Sequence, residues 1–322
     1  MGRLYVDAWD PAFGASFEGS EVAGPATPSS ARVEADVELP PASWRPRVAP
    51  DRLRAPDVVL MVDGVRRIDA RVWSEEADGG SFPGLAASYA AGAVRCDLRQ
   101  GVAVVAGAQV RRGLFTSSPT AEDIFAGQVR YAVHRVGENA ELARLPNAVQ
   151  ALLTALEVEV SGAARTAGDL LVVDGPLRNR RQLPRTIGYI KTQQSQYLDA
   201  RLTAAAVTSL RVGERSPVFK LGTAWGNYSW YLRLPGATGA PWSGIVRVEC
   251  SAELPEQEAI ELANLSAVTL PRFASTPYKD PRAPQNLTPI AGLERRLRGM
   301  LGDQRLLHRA LTSAAARTGR RG

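Results

Sequence analysis

Two short apolar runs that each end in Asp-Gly constrain the fold of this chain more than any other feature. The first is VVLMVDG, residues 58–64, and the second is LLVVDG, residues 170–175. Apolar runs of this length predict buried strands. Asp-Gly is a common turn dipeptide, so one interpretation is that each pair only closes a turn. In a mixed sheet, neighbouring strand ends would also bring Asp63 and Asp174 together, and like charges at short range need a cation between them.

Strand and helix patterns alternate along the rest of the chain. The segment VRRIDARVW, residues 65–73, predicts an antiparallel strand that returns from a turn at Asp63-Gly64. Further strands are predicted at residues 88–98, 101–112, 186–192, 228–234 and 244–254. Helices are predicted at residues 120–136, 146–165, 195–210, 256–270 and 293–318. This order predicts an α/β fold with a mixed sheet flanked by helices.

The N-terminal part of the chain is rich in proline. Residues 11–56 contain eight of the 22 prolines, which excludes a long helix there. Within this stretch ARVEADVEL, residues 31–39, alternates apolar and charged residues and predicts one edge strand. The sequence therefore predicts an extended arm at 1–56, a main domain at 57–312 and a basic tail at 313–322.

Composition excludes several kinds of site. The 322 residues include two cysteines, Cys96 and Cys250, and two histidines, His134 and His308, at spacings that fit no zinc site. Any metal would therefore be held mainly by carboxylates, and oxygen ligands suit Mg²⁺ and Mn²⁺. The chain has no apolar run of membrane-spanning length, and its N-terminus lacks the apolar run of a signal peptide. We expect a cytoplasmic protein without membrane contact.

A third carboxylate is needed to complete a metal site. The predicted helix before Asp174 offers Glu157 and Glu159, which lie on opposite edges of its apolar stripe, so helical geometry does not choose between them. Either one is equally well explained as a solvated residue. Three carboxylates can hold two divalent ions, and two ions can hydrolyse a phosphodiester without a nucleophilic serine or cysteine.

Four arginines follow Asp174 within eleven residues: Arg178, Arg180, Arg181 and Arg185. They form either a solvated loop or a surface that holds a polyanionic backbone, since arginine makes paired hydrogen bonds to phosphate. The net charge of +6 does not decide between these interpretations. Lys191, at the end of the next predicted strand, is placed to offset charge that develops at a phosphate, although a lysine at a strand end is common.

Several of these segments together resemble the NurA nucleases. They are VDG at 62–64, a glutamate seventeen residues before the aspartate of VDGPL at 173–177, IGYIKT at 187–192, and YKDPRAPQNLTPIAGLERRLRGMLG at 278–302. The resemblance covers roughly residues 55–312. It implies a ribonuclease H-like fold and a manganese-dependent nuclease acting on DNA, usually as a dimer. It also implies that the protein acts together with the hexameric ring translocase HerA in DNA end processing or, in some bacteria, in defence against phage.

The resemblance also assigns residues. It matches Asp63, Glu157 and Asp174 to the acidic metal ligands, which selects Glu157 over Glu159, and it matches Lys191 to a lysine that follows the DGPL motif. The family has a tyrosine followed eight residues later by a histidine near the metals. Here Tyr278, which we expect near the DNA, is followed by Asn286. Asparagine can bind a hard cation through its carbonyl oxygen but cannot carry a proton near neutral pH.

The sequence therefore predicts a DNA nuclease that uses Mn²⁺ or Mg²⁺ in a two-metal mechanism. Asp63, Glu157 and Asp174 would bind the metals with Asn286, and Lys191 would act in catalysis. The arginines at 178, 180, 181 and 185 and Tyr278 would contact DNA. Because Asn286 replaces a histidine, the alternative is a non-catalytic adaptor subunit of a DNA translocase complex. The proline-rich arm is a candidate docking segment for that translocase.

Overall fold

A large mixed sheet with helices on both faces forms the core of this protein. The computed structural model describes residues 3–6, 27–28, 31–137, 142–180, 182–192, 195–222, 226–236 and 241–318. Within these ranges twelve strands form one sheet, in the order β3-β12-β13-β14-β10-β9-β4-β5-β6-β8-β7, with β1 paired to β4 outside this path. The two short strands β2 and β11 pair separately. The predicted α/β class and mixed sheet are confirmed.

The elements have the following bounds. The strands are β1 (Arg3–Val6), β2 (Thr27–Pro28), β3 (Arg32–Glu34), β4 (Val58–Glu75), β5 (Ser81–Asp97), β6 (Val102–Thr116), β7 (Ile124–Ala126), β8 (Val129–Arg135), β9 (Leu170–Asp174), β10 (Thr186–Ile190), β11 (Ser195–Gln196), β12 (Phe219–Gly222), β13 (Asn227–Arg233) and β14 (Ile245–Ser251). The helices are α1 (Leu145–Ala164), α2 (Ala200–Ala206), α3 (Glu256–Thr269), α4 (Thr288–Met300) and α5 (Gln304–Thr318). None of these helices is long and apolar enough to cross a bilayer.

The centre of the sheet combines antiparallel and parallel pairing. Strands β4, β5 and β6 are antiparallel neighbours, whereas β9 lies parallel to β4, and β10 lies parallel to β9. The long crossover from β6 to β9 contains α1, as a parallel connection requires. Side chains alternate between the two faces along each strand. One face packs on α1 through Leu60, Val62, Leu171 and Val173, and the other packs on α3 and α4 through Val59, Met61, Leu170 and Val172.

The predicted turn at Asp63-Gly64 is wrong. Strand β4 runs without interruption through both residues, which pair with Gly92 and Ala91 of β5. A methyl group at Gly64 would overlap Glu157 Oε1 and lie 2.6 Å from Leu153 Cδ1 of α1. Gly64 therefore provides space for a packed helix, and the same dipeptide that often closes a turn lies inside a strand. At the second run the prediction is confirmed, because β9 ends at Asp174 and Gly175 follows with φ 101°.

Three predicted helices differ from the structure, and within 195–210 only α2 is helical, while Ser195–Gln196 form β11. Residues 120–136 form the hairpin β7–β8 instead of a helix, with Gly127 at φ 66° in the turn. Tyr131 is fully buried in a core that Val129 and Val133 also contact, so the relevant period is two. The predicted helix at 293–318 is divided into α4 and α5, because Gly302 adopts φ 80° between them. Helices α1 and α3 match their predicted positions closely.

Within the predicted edge strand near the N-terminus, Arg32–Glu34 form β3, which pairs with β12 at one end of the sheet. The chain that follows β3 packs on the sheet. Trp44 is buried against Phe219, and both oxygens of Glu38 accept hydrogen bonds from the buried Arg215, at 2.7 and 2.8 Å. In the part of the arm from residue 31 onward, an ion pair and an aromatic contact therefore join the proline-rich chain to the main domain.

Candidate metal centre

Asp63 and Asp174 lie side by side because their strands are parallel neighbours. The ladder between β4 and β9 pairs Val62 with Val173, so the next residue of each strand is an aspartate. Both side chains point to the face that packs on α4. There they meet Glu294 of α4, and one oxygen from each of the three carboxylates lies within 4.8 Å of the others. We call Asp63, Asp174 and Glu294 the carboxylate cluster.

Asp63 is the most desolvated member of the cluster. Its side chain is only 8% exposed, and its Oδ1 accepts a hydrogen bond of 2.7 Å from the backbone N–H of Gly64. Its Oδ2 is buried and accepts no hydrogen bond from any described group. Burial and the neighbouring Asp174 raise the pKa of Asp63 well above its ordinary value. A buried anionic oxygen without a donor is a position that a cation can satisfy, so these residues fit a divalent metal.

Lys191 lies on the other side of Asp174. Its ammonium donates to Asp174 Oδ2 at 2.6 Å and to the amide oxygen of Asn286 at 2.8 Å, and it lies 3.9 Å from Glu294 Oε1. Burial raises the pKa of Asp174 even though Lys191 lies beside it. The amide nitrogen of Asn286 donates to Asp280 at 2.6 Å, and this bond directs the amide oxygen towards Lys191. The structure thus brings four predicted residues together: Asp63, Asp174, Lys191 and Asn286.

Glu294 was not predicted from the sequence. Helix α4 approaches the sheet closely because Gly92, the partner of Asp63 in β5, has no side chain, and a methyl group there would lie 2.8 Å from Leu293 Cδ1. Arg282 holds the carboxylate of Glu294 through bonds of 2.8 and 3.3 Å. The sequence did contain a signal for Glu294, which lies four residues after the apolar Ile290 and three residues before the apolar Leu297. Both of these residues are buried in the structure. An acid at this helical spacing lies on the buried face.

Glu157 lies on the opposite face of the sheet. It belongs to α1, which packs against the side chains that alternate with Asp63 along β4, and its carboxylate touches Gly64. It forms a buried ion pair with Arg180, whose side chain is 2% exposed. Burial raises the pKa of Glu157 and lowers that of Arg180, and the ion pair opposes both shifts. The metal-ligand role that the sequence assigned to Glu157 stays a prediction.

The residues that the sequence predicts to contact DNA differ in how exposed they are. Arg178 and Arg185 are exposed and adopt left-handed backbone angles, φ 45° and 46°. Tyr278 is 95% exposed, whereas Arg180 is buried as described above. Arg181 lies outside the described residues. Glu249 of β14 holds the start of the loop between β9 and β10. It accepts a hydrogen bond of 2.9 Å from the backbone N–H of Leu177 and one of 2.7 Å from Arg247.

The contact between α1 and β4 makes a stability prediction at Gly64. We expect Gly64→Ala to destabilise the fold by about 1–3 kcal/mol, since the new methyl group overlaps Glu157 and Leu153 in a packed interface. Gly162→Ala is the matched control, because Gly162 is exposed on α1 with no atom near its Cβ direction. The control should gain roughly 0.5–1 kcal/mol from helix propensity. Urea denaturation measures both variants, and equal effects would contradict the close packing at Gly64.

Comparison with known proteins gives little further information. No family model matches the chain, and no curated protein matches it. Among solved structures, endonuclease V from Bacillus subtilis is similar at 12% sequence identity, with 79% of this chain and 84% of that chain covered and a TM-score of 0.33. A TM-score this low supports no argument about the fold or function of this chain.

Proposed function

We propose that this protein is a metal-dependent nuclease that hydrolyses phosphodiester bonds in DNA. The observation that carries the proposal is the carboxylate cluster, in which Asp63, whose buried Oδ2 has no described donor, meets two further carboxylates, one of which accepts a hydrogen bond from the ammonium of Lys191. Such a set of oxygens suits Mg²⁺ or Mn²⁺. The finer proposals are a ribonuclease H-like core made by β4, β5, β6, β9 and β10, and membership of the NurA nucleases. The strand order supports the ribonuclease H-like core, and the sequence motifs support membership of the NurA nucleases.

In this proposal the ligands are Asp63, Asp174 and Glu294, with the amide oxygen of Asn286 close by. A bound divalent ion supplies activation of water and stabilisation of the leaving oxygen. Lys191 would bind a phosphate oxygen and offset its developing charge. The sequence predicts two ions, and in this structure Asp174 Oδ2 accepts a hydrogen bond from Lys191.

The substrate contacts follow from exposure and charge. Arg178 and Arg185 are exposed in the loop between β9 and β10, so their guanidinium groups are free to reach a phosphate backbone. Tyr278 offers an exposed ring for stacking on a base. Arg180 would contact DNA only if it left Glu157. For the partners, we propose that the protein forms a homodimer and acts with a HerA-type ring translocase in DNA end processing or phage defence. This proposal rests on the motif resemblance.

One observation favours the alternative of a non-catalytic adaptor. Asn286 is fully buried, accepts from Lys191 and donates to Asp280, so this position offers no group that titrates near neutral pH. A nuclease with this residue would depend on water or on Lys191 for proton transfer. A non-catalytic adaptor would keep the three carboxylates of the cluster but would not cleave DNA.

An assay on end-labelled DNA tests the proposal. The purified protein should cleave single-stranded or double-stranded DNA when Mn²⁺ or Mg²⁺ is present, and chelation of the metal should stop cleavage. Calorimetric titration of the same sample with Mn²⁺ counts the bound ions. Metal binding without cleavage, with and without a cognate translocase, would favour the adaptor. Absence of both binding and cleavage would exclude the metal site itself.

A further inference from the structure

A cavity of about 270 Å³ lies beside α1, on the face of the sheet opposite to the carboxylate cluster. Residues of β5, β6, β8 and α1 form its walls, and they include Tyr89, Arg111, His134 and Leu152. Tyr89 and Leu152 belong to the core that packs between the sheet and α1, so the sheet separates this cavity from the carboxylate cluster. We call it the α1 cavity.

Tyr89 brings an unpaired hydroxyl to the α1 cavity. The residue is only 3% exposed, and its hydroxyl forms no hydrogen bond within the described part of the chain. Its ring packs edge-on against Phe115, with 6.4 Å between the ring centroids, which holds the side chain in place. A buried hydroxyl normally has a partner, because an unpaired one loses its bonds to water without compensation. The hydroxyl of Tyr89 is therefore available to a ligand.

His134 adds a second polar edge to the same cavity. Its ring stacks on Phe115, with 5.0 Å between centroids, and Gly113 leaves room for it, since a methyl group there would lie 2.6 Å from His134 Cδ2. Neither ring nitrogen bonds to a described group. Burial lowers the pKa of His134, although Asp123 opposes the shift, so the imidazole is neutral at pH 7 and offers one donor and one acceptor.

Arg111 places positive charge at the solvent side of the cavity. Its Nη2 donates to the two oxygens of Glu159, at 2.6 and 2.8 Å, and to Gln109, whereas its Nε and Nη1 have no described partner. These two nitrogens can donate to an anionic oxygen. Arg112 also lines the cavity, but its guanidinium donates to the carbonyl oxygen of Leu301 at 3.1 Å. Arg111 is therefore the cation that a ligand can reach.

We propose that the α1 cavity binds a nucleoside monophosphate, with the base against Tyr89, His134 and Leu152 and the phosphate on Arg111. Base edges carry the donors and acceptors that a hydroxyl and a neutral imidazole recognise, and Leu152 provides an apolar contact for the ring. Pockets for drug-sized ligands measure about 300–1,000 Å³, so a single nucleotide fills this smaller cavity. The proposal does not rest on the proposed nuclease activity, because the sheet lies between the two sites.

Calorimetric titration with the four deoxynucleoside 5′-monophosphates tests the proposal. The titrations contain chelator, so that no metal ion in the carboxylate cluster can hold the phosphate. We expect at least one monophosphate to bind more tightly than its nucleoside and more tightly than inorganic phosphate. Arg111→Ala should weaken binding of that monophosphate at least about tenfold and leave binding of the nucleoside unchanged. Tyr89→Phe should weaken binding of both by about threefold or more, without loss of stability, because the hydroxyl has no described partner.

Matched controls separate these effects from general changes. Arg99 is an exposed arginine paired with Asp57, and Tyr228 is a buried tyrosine of β13, so Arg99→Ala and Tyr228→Phe should bind the monophosphate like the parent. Asp63→Asn should also bind it like the parent, since Asp63 lies on the other face of the sheet. Ala155→Trp fills the cavity from the exposed side of α1 and should abolish binding while the protein stays folded.

Three results would overturn the proposal. The first is that no monophosphate binds at millimolar concentration. The second is that inorganic phosphate or the nucleoside alone binds as tightly as the monophosphate, since the cavity would then not recognise both parts. The third is that the arginine, tyrosine and cavity-filling variants bind the monophosphate like the parent, because the nucleotide would then occupy another place.

Discussion

Replacement of Asp63 by asparagine is expected to abolish metal binding and DNA cleavage while making the metal-free protein more stable. The carboxylate of Asp63 is buried, has one oxygen without a described donor and lies beside Asp174. Asparagine keeps the shape of the side chain and removes the like-charge repulsion and the desolvated charge. Loss of a group that only supports a ligand typically costs about 10- to 100-fold in affinity or activity, so loss of a ligand should cost at least about 100-fold.

Opposite changes in activity and stability distinguish this result from misfolding. Cleavage of end-labelled DNA and calorimetric titration with Mn²⁺ measure the loss, and thermal unfolding in chelator measures the gain. Asp174→Asn should lose cleavage in the same way, without the same gain in stability, because Asp174 also accepts a bond from Lys191. Asp51→Asn, at an exposed aspartate, is the control. Parental cleavage by Asp63→Asn would show that the carboxylate cluster is not the catalytic centre.

Glu294→Gln and Glu157→Gln are expected to have opposite effects: the first should lower metal affinity and cleavage, and the second should lower stability. Glu294 belongs to the carboxylate cluster, and its other partners are Lys191 and the half-exposed Arg282. Its replacement should lower metal affinity and cleavage at least about tenfold with little change in stability, since partly exposed ion pairs contribute about 1 kcal/mol or less. Glu157 lies across the sheet in a buried pair with Arg180. Its replacement should leave metal affinity unchanged and destabilise the fold by up to about 3–5 kcal/mol, because Arg180 would lose its charged partner.

The two variants decide between the ligand sets. Titration with Mn²⁺ gives the affinity and ion count, and urea denaturation in chelator gives the stability. If Glu157→Gln loses metal affinity and Glu294→Gln retains it, the third ligand is the one that the sequence resemblance assigned. If both lose affinity, Glu157 and Glu294 both contribute, and the buried pair with Arg180 must open when metal binds.

Local sequence patterns determined several elements by themselves. The apolar run at 170–174 is a buried strand that ends at an aspartate followed by a left-handed glycine. The alternation at 31–39 contains the edge strand β3, and the stripe that includes Val149, Leu153 and Leu156 lies on the buried face of α1. In each case the period of burial and the local turn chemistry agree, so a short window contains the necessary information.

Only the tertiary structure decided how the site is assembled. Nothing local distinguishes Asp63-Gly64 from a turn, because the need for glycine comes from α1 packing on β4. The alternation of β4 places Asp63 on the face of α4, whereas Glu157 approaches from the other face. Glu294 reaches the aspartates from more than a hundred residues away because Gly92 lets α4 approach the sheet closely. The sequence determined which residues carry charge within or beside buried segments. Long-range packing determined which of those charges share one desolvated space, because the energy of a buried charge depends on its neighbours in three dimensions.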